Sequence, residues 1–337
     1  MANQETQKID NIIASRRAML LGGGAALAAL AIPSAAKAAV TVTTFTDADI
    51  LNFALNLEYL EANFYYLAAF GTNISTSNAA STAAGAAVLG ITGTGTQGTV
   101  AVKANSQVPF ALPAVKAYAI ETAIEEGKHV TFLRSALGSA AVAQPAIDLN
   151  TAFNTLANAA GIAATFDPFA SDANFLVGAY VFEDVGVTAY HGAAPLISTS
   201  TQGKTYLQAA AGILAVEAYH AGLIRTTINA LDPTGTLGYI GYTQKISALR
   251  ATLSRAALST APNPDDIPLT PGSTTYSLAG GTAVTATTIV DADQTNVIAF
   301  SRNTTQVLNI VTGGGATTAG AKATGVFFPS GLNGTFV

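Results

Sequence analysis

Two copies of the pattern Glu-x-x-His contain two of the three histidines in this chain. They are Glu126-Gly127-Lys128-His129 and Glu217-Ala218-Tyr219-His220. Residues three apart lie on one face of a helix, so each copy can direct a carboxylate and an imidazole at one metal ion. Three histidines and eight glutamates would give about 0.07 such pairs by chance. The pattern therefore predicts a metal site carried by two helices.

Four predicted helices position these groups, and they contain seven of the eight glutamates. Caps and apolar periodicity place them at about 47–70, 112–137, 171–190 and 204–231, the first capped by Thr46 or Asp47 and closed by Gly71. Helices this apolar are buried on most sides, where ionisable groups are costly unless they are paired or bound to metal. The helices carry, in order, Glu58 and Glu61; Glu121, Glu125, Glu126 and His129; Glu183; and Glu217 and His220.

The connecting segments carry little chemistry. Residues 72–108 consist mainly of Gly, Ala, Ser and Thr, which predicts a long surface loop with a short hairpin around Gly93 to Gly98. After Asp232-Pro233 the pattern predicts a helix at about 243–258, a hairpin through Gly280-Gly281 and a helix at about 294–311. No glutamate or histidine follows His220, so we expect the C-terminal third to serve packing or assembly.

Composition excludes several classes of function. The chain has 337 residues, half of them apolar, and a formal net charge of −5 without a lysine or arginine cluster. It can bury a substantial core, and it lacks the cationic surface that nucleic-acid binding needs. It contains no cysteine, so disulfides and thiolate ligands are impossible and any metal must be held by oxygen and nitrogen.

The N-terminus predicts an export signal over residues 1–38. Ser15-Arg16-Arg17 precedes an apolar run from Met19 to Ile32, and Ala36-Lys37-Ala38 precedes a predicted mature start at Ala39. The apolar run is shorter than the roughly 20 residues of a spanning helix, so no stable membrane span is expected after cleavage. The paired arginines resemble a twin-arginine signal, which exports folded proteins. We expect a periplasmic or extracellular location.

Taken in chain order, the helices offer Glu, Glu-x-x-His, Glu, Glu-x-x-His, the ligand set of two-metal carboxylate sites in four-helix bundles. With this set, and over residues 51–66, 125–137, 182–195 and 215–225, the chain resembles the exported branch of the ferritin-like superfamily, which includes desiccation-related and stress-induced proteins. The resemblance covers residues 45–230 closely and also 289–311. It implies a mainly α fold: a ferritin-like four-helix bundle over 45–231 with a loop insertion at 71–111, then a C-terminal extension over 232–337 with additional helices and a short β hairpin.

The resemblance also implies the role of each ligand. Two iron or manganese ions would be bridged by Glu126 and Glu217, with one imidazole on each ion; the complete implied set is Glu58, Glu126, His129, Glu183, Glu217 and His220. An internal repeat favours Glu58 in the first helix, because Tyr65 follows it by seven residues as Tyr190 follows Glu183. Glu61 remains the alternative, since it points nearer the centre of the apolar face.

Other polar residues have two interpretations. Glu121 and Glu125 also lie in the second helix, but the three-residue step to His129 selects Glu126, and Glu125 fits a solvated acid or a partner of a ligand. His191 fits a structural role at a helix end or the orientation of a ligand. Tyr65 and Tyr190 fit hydrogen bonds to site carboxylates, electron relay, or aromatic core.

Two functions follow from different classes. A dimetal centre of carboxylate and imidazole suits an oxidoreductase acting on oxygen or peroxide. The alternative is a protective bundle, active under drying or oxidative stress, in which metal is structural or absent; without a cation, however, four close carboxylates would repel and take up protons. Iron storage is a weaker option, because the acids of a mineral-nucleating surface are missing. A homo-oligomer is possible, and loop 71–111 could cover the site or mediate contacts.

Overall fold

The computed structural model describes residues 45–76, 89–256, 265–276, 281–315 and 322–336. The predicted export signal and parts of the loop insertion and of the C-terminal extension lie outside the described residues. The described chain is mainly helical, with short strands in small sheets, as the fold class predicted.

Helix α1 (Asp47–Phe70) is buried along almost its whole length and has the predicted bounds. Thr46 and Asp49 form a capping box at its start, and Gly71 ends it in the left-handed conformation at φ 70°. Its asparagines are buried and face other segments of the chain: Asn52 Nδ2 donates to Ala140 O at 3.0 Å and Asn56 Nδ2 to Asn333 O at 2.9 Å. The polar residues of this helix therefore anchor the loops that surround it.

Helix α2 (Pro113–Leu137) packs against α1 and carries the first Glu-x-x-His. It begins with a proline, whose missing N–H is one that a helix start leaves unpaired, and it ends at Gly138. A one-turn 3₁₀ helix, Gly138–Ala140, follows it.

The segment between α1 and α2 does not form the predicted hairpin around Gly93 to Gly98. Strand β1 (Val100–Ala101) pairs in parallel with β2 (Ile147–Asp148), and Thr94 bridges to Val142. The loop therefore pairs with the later crossover segment, which also contains helix α3 (Ala152–Ala159). The hairpin prediction was wrong because the strand partner lies nearly fifty residues away.

The third bundle helix is interrupted and forms α4 (Asp172–Tyr180) and α5 (Glu183–Ala193). The backbone N–H groups of Val181 and Phe182 donate to carbonyls three residues back, where an α-helix would use the carbonyl four residues back. The carbonyl of Tyr180 accepts from Arg250 Nη1 at 2.6 Å. A side chain that occupies a helical carbonyl is a recognised cause of a helix break. The break makes Glu183 the first residue of α5. The 3₁₀ turn Ala194–Leu196 ends this segment.

Helix α6 (Thr201–Leu231) completes the bundle and is capped by Ser200, whose hydroxyl accepts from Gly203 N at 2.9 Å. It packs against α4 and α5 and carries the second Glu-x-x-His. The C-terminal extension then contributes helix α7 (Tyr239–Ala256), the antiparallel pair β3 (Thr270–Tyr276) and β4 (Val284–Thr288), and helix α8 (Thr304–Thr312).

Helix α8 begins about ten residues later than predicted. Asp293 accepts backbone hydrogen bonds from Asn296 and Ile298, which hold residues 293–298 in a turn. A capping box of Asn303 and Gln306 then sets the start of the helix.

Buried ion pairs attach the extension to the bundle. Arg250 contacts Asp184 and Asp266, each at 2.8 Å, and Arg302 contacts Asp266 at 2.9 Å. Arg225 of α6 contacts the same Asp184 at 2.9 Å. Since Asp184 adjoins Glu183 in sequence, this network also fixes the start of α5.

Candidate metal centre

The six predicted ligands come together in the middle of the bundle. α1 supplies Glu58, α5 supplies Glu183, and α2 and α6 supply one Glu-x-x-His pair each. The four carboxylates are buried. The two imidazoles are also buried, and they lie at the edge of the cluster between helices α2 and α6.

His129 lies at one end of the cluster. Its Nδ1 is 3.3 Å from Glu58 Oε2, 3.5 Å from Glu126 Oε2 and 3.6 Å from Glu217 Oε1. These four residues offer ligand atoms that all lie within 4.8 Å of one another. They outline a position for one cation.

His220 lies at the other end. Its Nδ1 is 3.0 Å from Glu126 Oε1 and 3.4 Å from Glu183 Oε2. Together with Glu217 these residues form a second group within the same 4.8 Å limit. Glu126 and Glu217 belong to both groups, and Glu126 turns one oxygen towards each histidine. This is the geometry of two adjacent positions that share two carboxylates.

Eight buried atoms of these six side chains make no hydrogen bond. Leaving a buried donor or acceptor unpaired costs about 1–3 kcal/mol for each group, and more for a charged one. So many unpaired atoms at one point therefore call for a ligand that accepts lone pairs. They are Glu58 Oε2, both oxygens of Glu126, His129 Nδ1, Glu183 Oε2, both oxygens of Glu217 and His220 Nδ1.

The donor set fits two divalent cations. Four carboxylates balance the charge of two such ions, and each ion would gain one neutral imidazole. Oxygen and nitrogen donors of this kind suit iron, manganese or zinc. The residues present are thus compatible with the two-ion site that their order implied.

Burial and mutual repulsion raise the pKa of most of these acids. Desolvation, followed by the charge of Glu126, raises the pKa of Glu217 well above its usual value. Desolvation also raises the pKa of Glu58 to about 7, although His129 opposes the shift. Burial alone would raise the pKa of Glu126 too, but contacts with both histidines lower it. Without metal, the cluster therefore holds protons near neutral pH.

The histidines respond in the opposite direction. Burial would lower the pKa of His129, yet Glu58 and Glu126 outweigh burial and raise that pKa to about 11. Glu183 and Glu126 likewise raise the pKa of His220. A metal ion would have to displace these protons in order to bind.

Three neighbouring side chains hold the cluster in place. Glu125 Oε2 lies 2.8 Å from His220 Nε2, the ring nitrogen that points away from the cluster, so Glu125 orients this ring as a carboxylate partner. The hydroxyl of Tyr65 donates to Glu183, and that of Tyr190 donates to Glu58. Of the interpretations that the sequence left open, the structure shows hydrogen bonding for both tyrosines.

Glu61 and His191 are outside the two ligand groups. Glu61 is nevertheless close to them, because burial and the charges of Glu126 and Glu183 raise its pKa well above the usual value. Glu61 is buried beside a narrow apolar crevice lined by Leu57, Gly186 and Tyr190. Among the described residues, it is a member of neither ligand group. His191 Nδ1 lies 3.1 Å from Phe300 O and so contacts the C-terminal extension. Glu121 is exposed.

Gly186 is a residue whose role the sequence did not reveal. A Cβ atom there would come within 2.3 Å of Glu217 Oε2, so a larger residue would push this carboxylate out of its present position. Gly186 follows Glu183 by three residues, but no local pattern distinguishes it from a glycine that merely allows helices to pack.

A third group of acids, Asp184, Asp266 and Asp291, also lies within 4.8 Å. Arg225 and Arg250 already pair with this group. It is therefore a charge network that holds the extension and a poorer match to a metal site.

The chain belongs to the ferritin-like domain family, whose model matches residues 46–230. It is also similar to the desiccation-related protein PCC13-62 of Craterostigma plantagineum, with 31% identity over 217 residues. That alignment covers 62% of this chain and 62% of the relative, so the chain matches less than two thirds of the relative's length. No solved structure matches significantly. These findings confirm the family and the fold class that the sequence indicated.

Proposed function

We propose that this chain is an exported ferritin-like protein that binds two iron or manganese ions and uses them in redox chemistry with oxygen or peroxide. The observation that carries the proposal is the set of eight buried, unpaired ligand atoms in two groups that share Glu126 and Glu217. When bound, the two metal ions would supply redox chemistry that the side chains of the bundle cannot supply themselves.

The surrounding residues support the chemistry by holding the ligands. Tyr65 and Tyr190 fix the two outer carboxylates, and Glu125 fixes the His220 ring. The α1 side of the cluster is enclosed by apolar side chains, which exclude water from the carboxylates. The side between α2 and α6 is more open, because the Glu125 side chain there is 36% exposed.

Elemental analysis tests the proposal directly. Protein purified from its native compartment should contain about two atoms of iron or manganese in each chain, following the two ligand groups. The loaded protein should then consume oxygen or peroxide with a reductant present. A protein that carries two zinc ions, or two redox metals that neither reactant oxidises, would contradict the redox part of the proposal.

A protective, non-catalytic bundle is the second candidate. The observation that favours it is the similarity to a protein named for its relation to desiccation. This function predicts that the native protein contains little metal. It also predicts that the protein protects a test enzyme during drying, and that variants lacking His129 or His220 protect it equally well. Loss of protection in those variants would argue against it.

Export through the twin-arginine signal is part of the proposal. Ser15-Arg16-Arg17 and the following apolar run support it. Replacement of both Arg16 and Arg17 by lysine should leave the protein in the cytoplasm with its signal uncleaved. Unchanged export of that variant would show that a different pathway is used.

A further inference from the structure

Helix α6 exposes a long apolar face to solvent. Among the described helices, α6 is long and apolar enough to cross a membrane by length and composition. Only 28% of its most apolar stretch is buried in the protein. Tyr219 is 71% exposed and Leu223 is 49% exposed. No exposed residue between Thr205 and Ala230 carries a charge. Soluble monomers rarely expose a continuous apolar surface of this size.

Helix α2 extends the same face. Tyr118 donates to His220 O, and Tyr206 donates to Ala136 O, so α2 and α6 lie side by side in opposite directions. On α2, Phe132 is 44% exposed. We call the outer surface of α6 residues 205–230, together with the Phe132 side of α2, the α2–α6 face.

A membrane is a poor partner for this face. Three ionisable residues of α6, Glu217, His220 and Arg225, point into the protein, where they contact α2 and α5. The helix therefore cannot leave the bundle to span a bilayer without exposing them to lipid. Helices that bind membrane surfaces are usually flanked by lysine and arginine. The exposed Lys128 and Lys204 flank this face, but the exposed Glu121 and the chain's net charge of −5 oppose attraction to an anionic membrane.

A second copy of the chain fits better. In a two-fold contact a surface meets itself, so charges of one sign at its centre would repel; here the centre is uncharged. The rim on α2 carries an exposed Glu121 and an exposed Lys128, seven residues apart on one strip of the helix. Antiparallel docking can place Glu121 of each copy beside Lys128 of the other.

The size of the face is also appropriate. The exposed stretch of α6 is about 39 Å long, and two helices about 10 Å wide give about 800 Å². Stable interfaces bury about this area on each partner.

We infer that the α2–α6 face is the interface of a homodimer, and that the second copy covers the open edge of the ligand cluster. Glu125 and His129 lie at that edge, between the exposed residues of α2 and α6. Dimerisation would bury the Glu125 side chain and close the side on which the cluster is most exposed. The inference does not require that metal be bound.

Sedimentation of the purified full-length chain tests the inference. The wild type should have twice the mass of the 34.0 kDa chain across the micromolar range. Leu223→Asp places two charges in the symmetric interface and should weaken association by at least about a hundredfold. Ile298→Asp alters a residue that is 57% exposed on the extension and should leave the dimer intact.

Spin labels provide a readout that does not depend on weakening the dimer. The chain has no cysteine, so Tyr219→Cys or Val297→Cys gives one labelling site per copy. Tyr219 lies near the middle of the exposed stretch of α6, where a centred two-fold contact brings the two labels close together. Labels at residue 219 should show strong dipolar coupling, while labels at residue 297, whose valine is 67% exposed on the extension, should not.

Three results would overturn the inference. The wild type could sediment as a monomer at every concentration. It could form a dimer that Leu223→Asp leaves intact and in which labels at residue 219 are uncoupled. It could stay monomeric and float with phosphatidylglycerol vesicles in a way that Leu223→Asp abolishes, which would assign the face to a membrane.

Discussion

Tyr190 donates a hydrogen bond to Glu58 across the bundle, from α5 to α1. Tyr65 of α1 makes the reciprocal bond to Glu183 of α5. Each helix thus supplies an outer carboxylate and the hydroxyl that fixes the carboxylate of the other helix. The seven-residue spacing in both helices explains how one arrangement serves both ends of the cluster.

Tyr65→Phe and Tyr190→Phe should each weaken metal binding about 10–100-fold, because residues that orient ligands contribute that much to affinity. Each should also lower the free energy of unfolding by about 1–2 kcal/mol through the lost hydrogen bond. Tyr206→Phe is the control, since its hydroxyl donates to a backbone carbonyl away from the cluster. It should affect stability alone. Equal metal affinity in all three variants would refute the orienting role.

His129→Ala and His220→Ala should abolish binding of two metals while circular dichroism shows an intact helical fold. Each substitution removes the single imidazole of one ligand group. His191→Ala is a matched control, because its ring bonds to Phe300 O and belongs to neither group. Retention of two metals per chain by both site variants would disprove the ligand set.

Comparison of Glu58→Ala with Glu61→Ala decides the ligand from the first helix. Glu58 Oε2 lies 3.3 Å from His129 Nδ1, whereas Glu61 belongs to neither ligand group of the described residues. Metal content should fall for Glu58→Ala and persist for Glu61→Ala. The reverse result would show that Glu61 moves into the cluster when metal binds.

Metal affinity should rise as the pH increases through about 7. Desolvation raises the pKa of Glu58 to about 7, so below that pH its carboxyl holds a proton that a metal ion must displace. His129, whose pKa the nearby carboxylates raise to about 11, must also lose a proton. Calorimetry in buffers of different ionisation enthalpy should therefore show proton release on binding. Binding without proton release would mean that the cluster is already deprotonated before metal arrives.

Local sequence was enough to predict the features that local chemistry determines. The cap at the start of α1, predicted at Thr46 or Asp47, the ending at Gly71 and the three-residue step of each Glu-x-x-His all act within one or two helical turns. The break between Tyr180 and Glu183 was not predicted, because it depends on Arg250, seventy residues away. The pairing of β1 with β2 was missed for the same reason. The late start of α8 was also not predicted, although the capping box of Asn303 and Gln306 is a local pattern that the sequence contains.

Asp291→Asn should make stability less dependent on pH. Asp291 Oδ2 is buried without a hydrogen bond, and burial, together with Asp266 and Asp184, raises the pKa of this carboxyl well above its usual value, although Arg225 and Arg250 oppose the shift. A raised pKa in the folded state means that the stabilisation is complete below the ordinary pKa of 3.8 and is lost as the pH rises through the folded value. The asparagine variant avoids that loss and can still accept from Ile267 N. It should therefore be more stable than the wild type at neutral pH.

Asp293→Asn is the control with the opposite sign. Hydrogen bonds from Asn296 N and Ile298 N lower the pKa of this exposed carboxyl, so its contribution is present above the ordinary pKa and is lost as the pH falls through the folded value. Urea unfolding across a pH series gives the free energy of unfolding of each variant. The wild type should lose stability relative to Asp291→Asn as the pH rises. At neutral pH it should remain slightly more stable than Asp293→Asn. If Asp291→Asn instead lowers stability at neutral pH, the charged carboxylate is needed by the arginines of the network, and the extension is held by a balanced set of ion pairs.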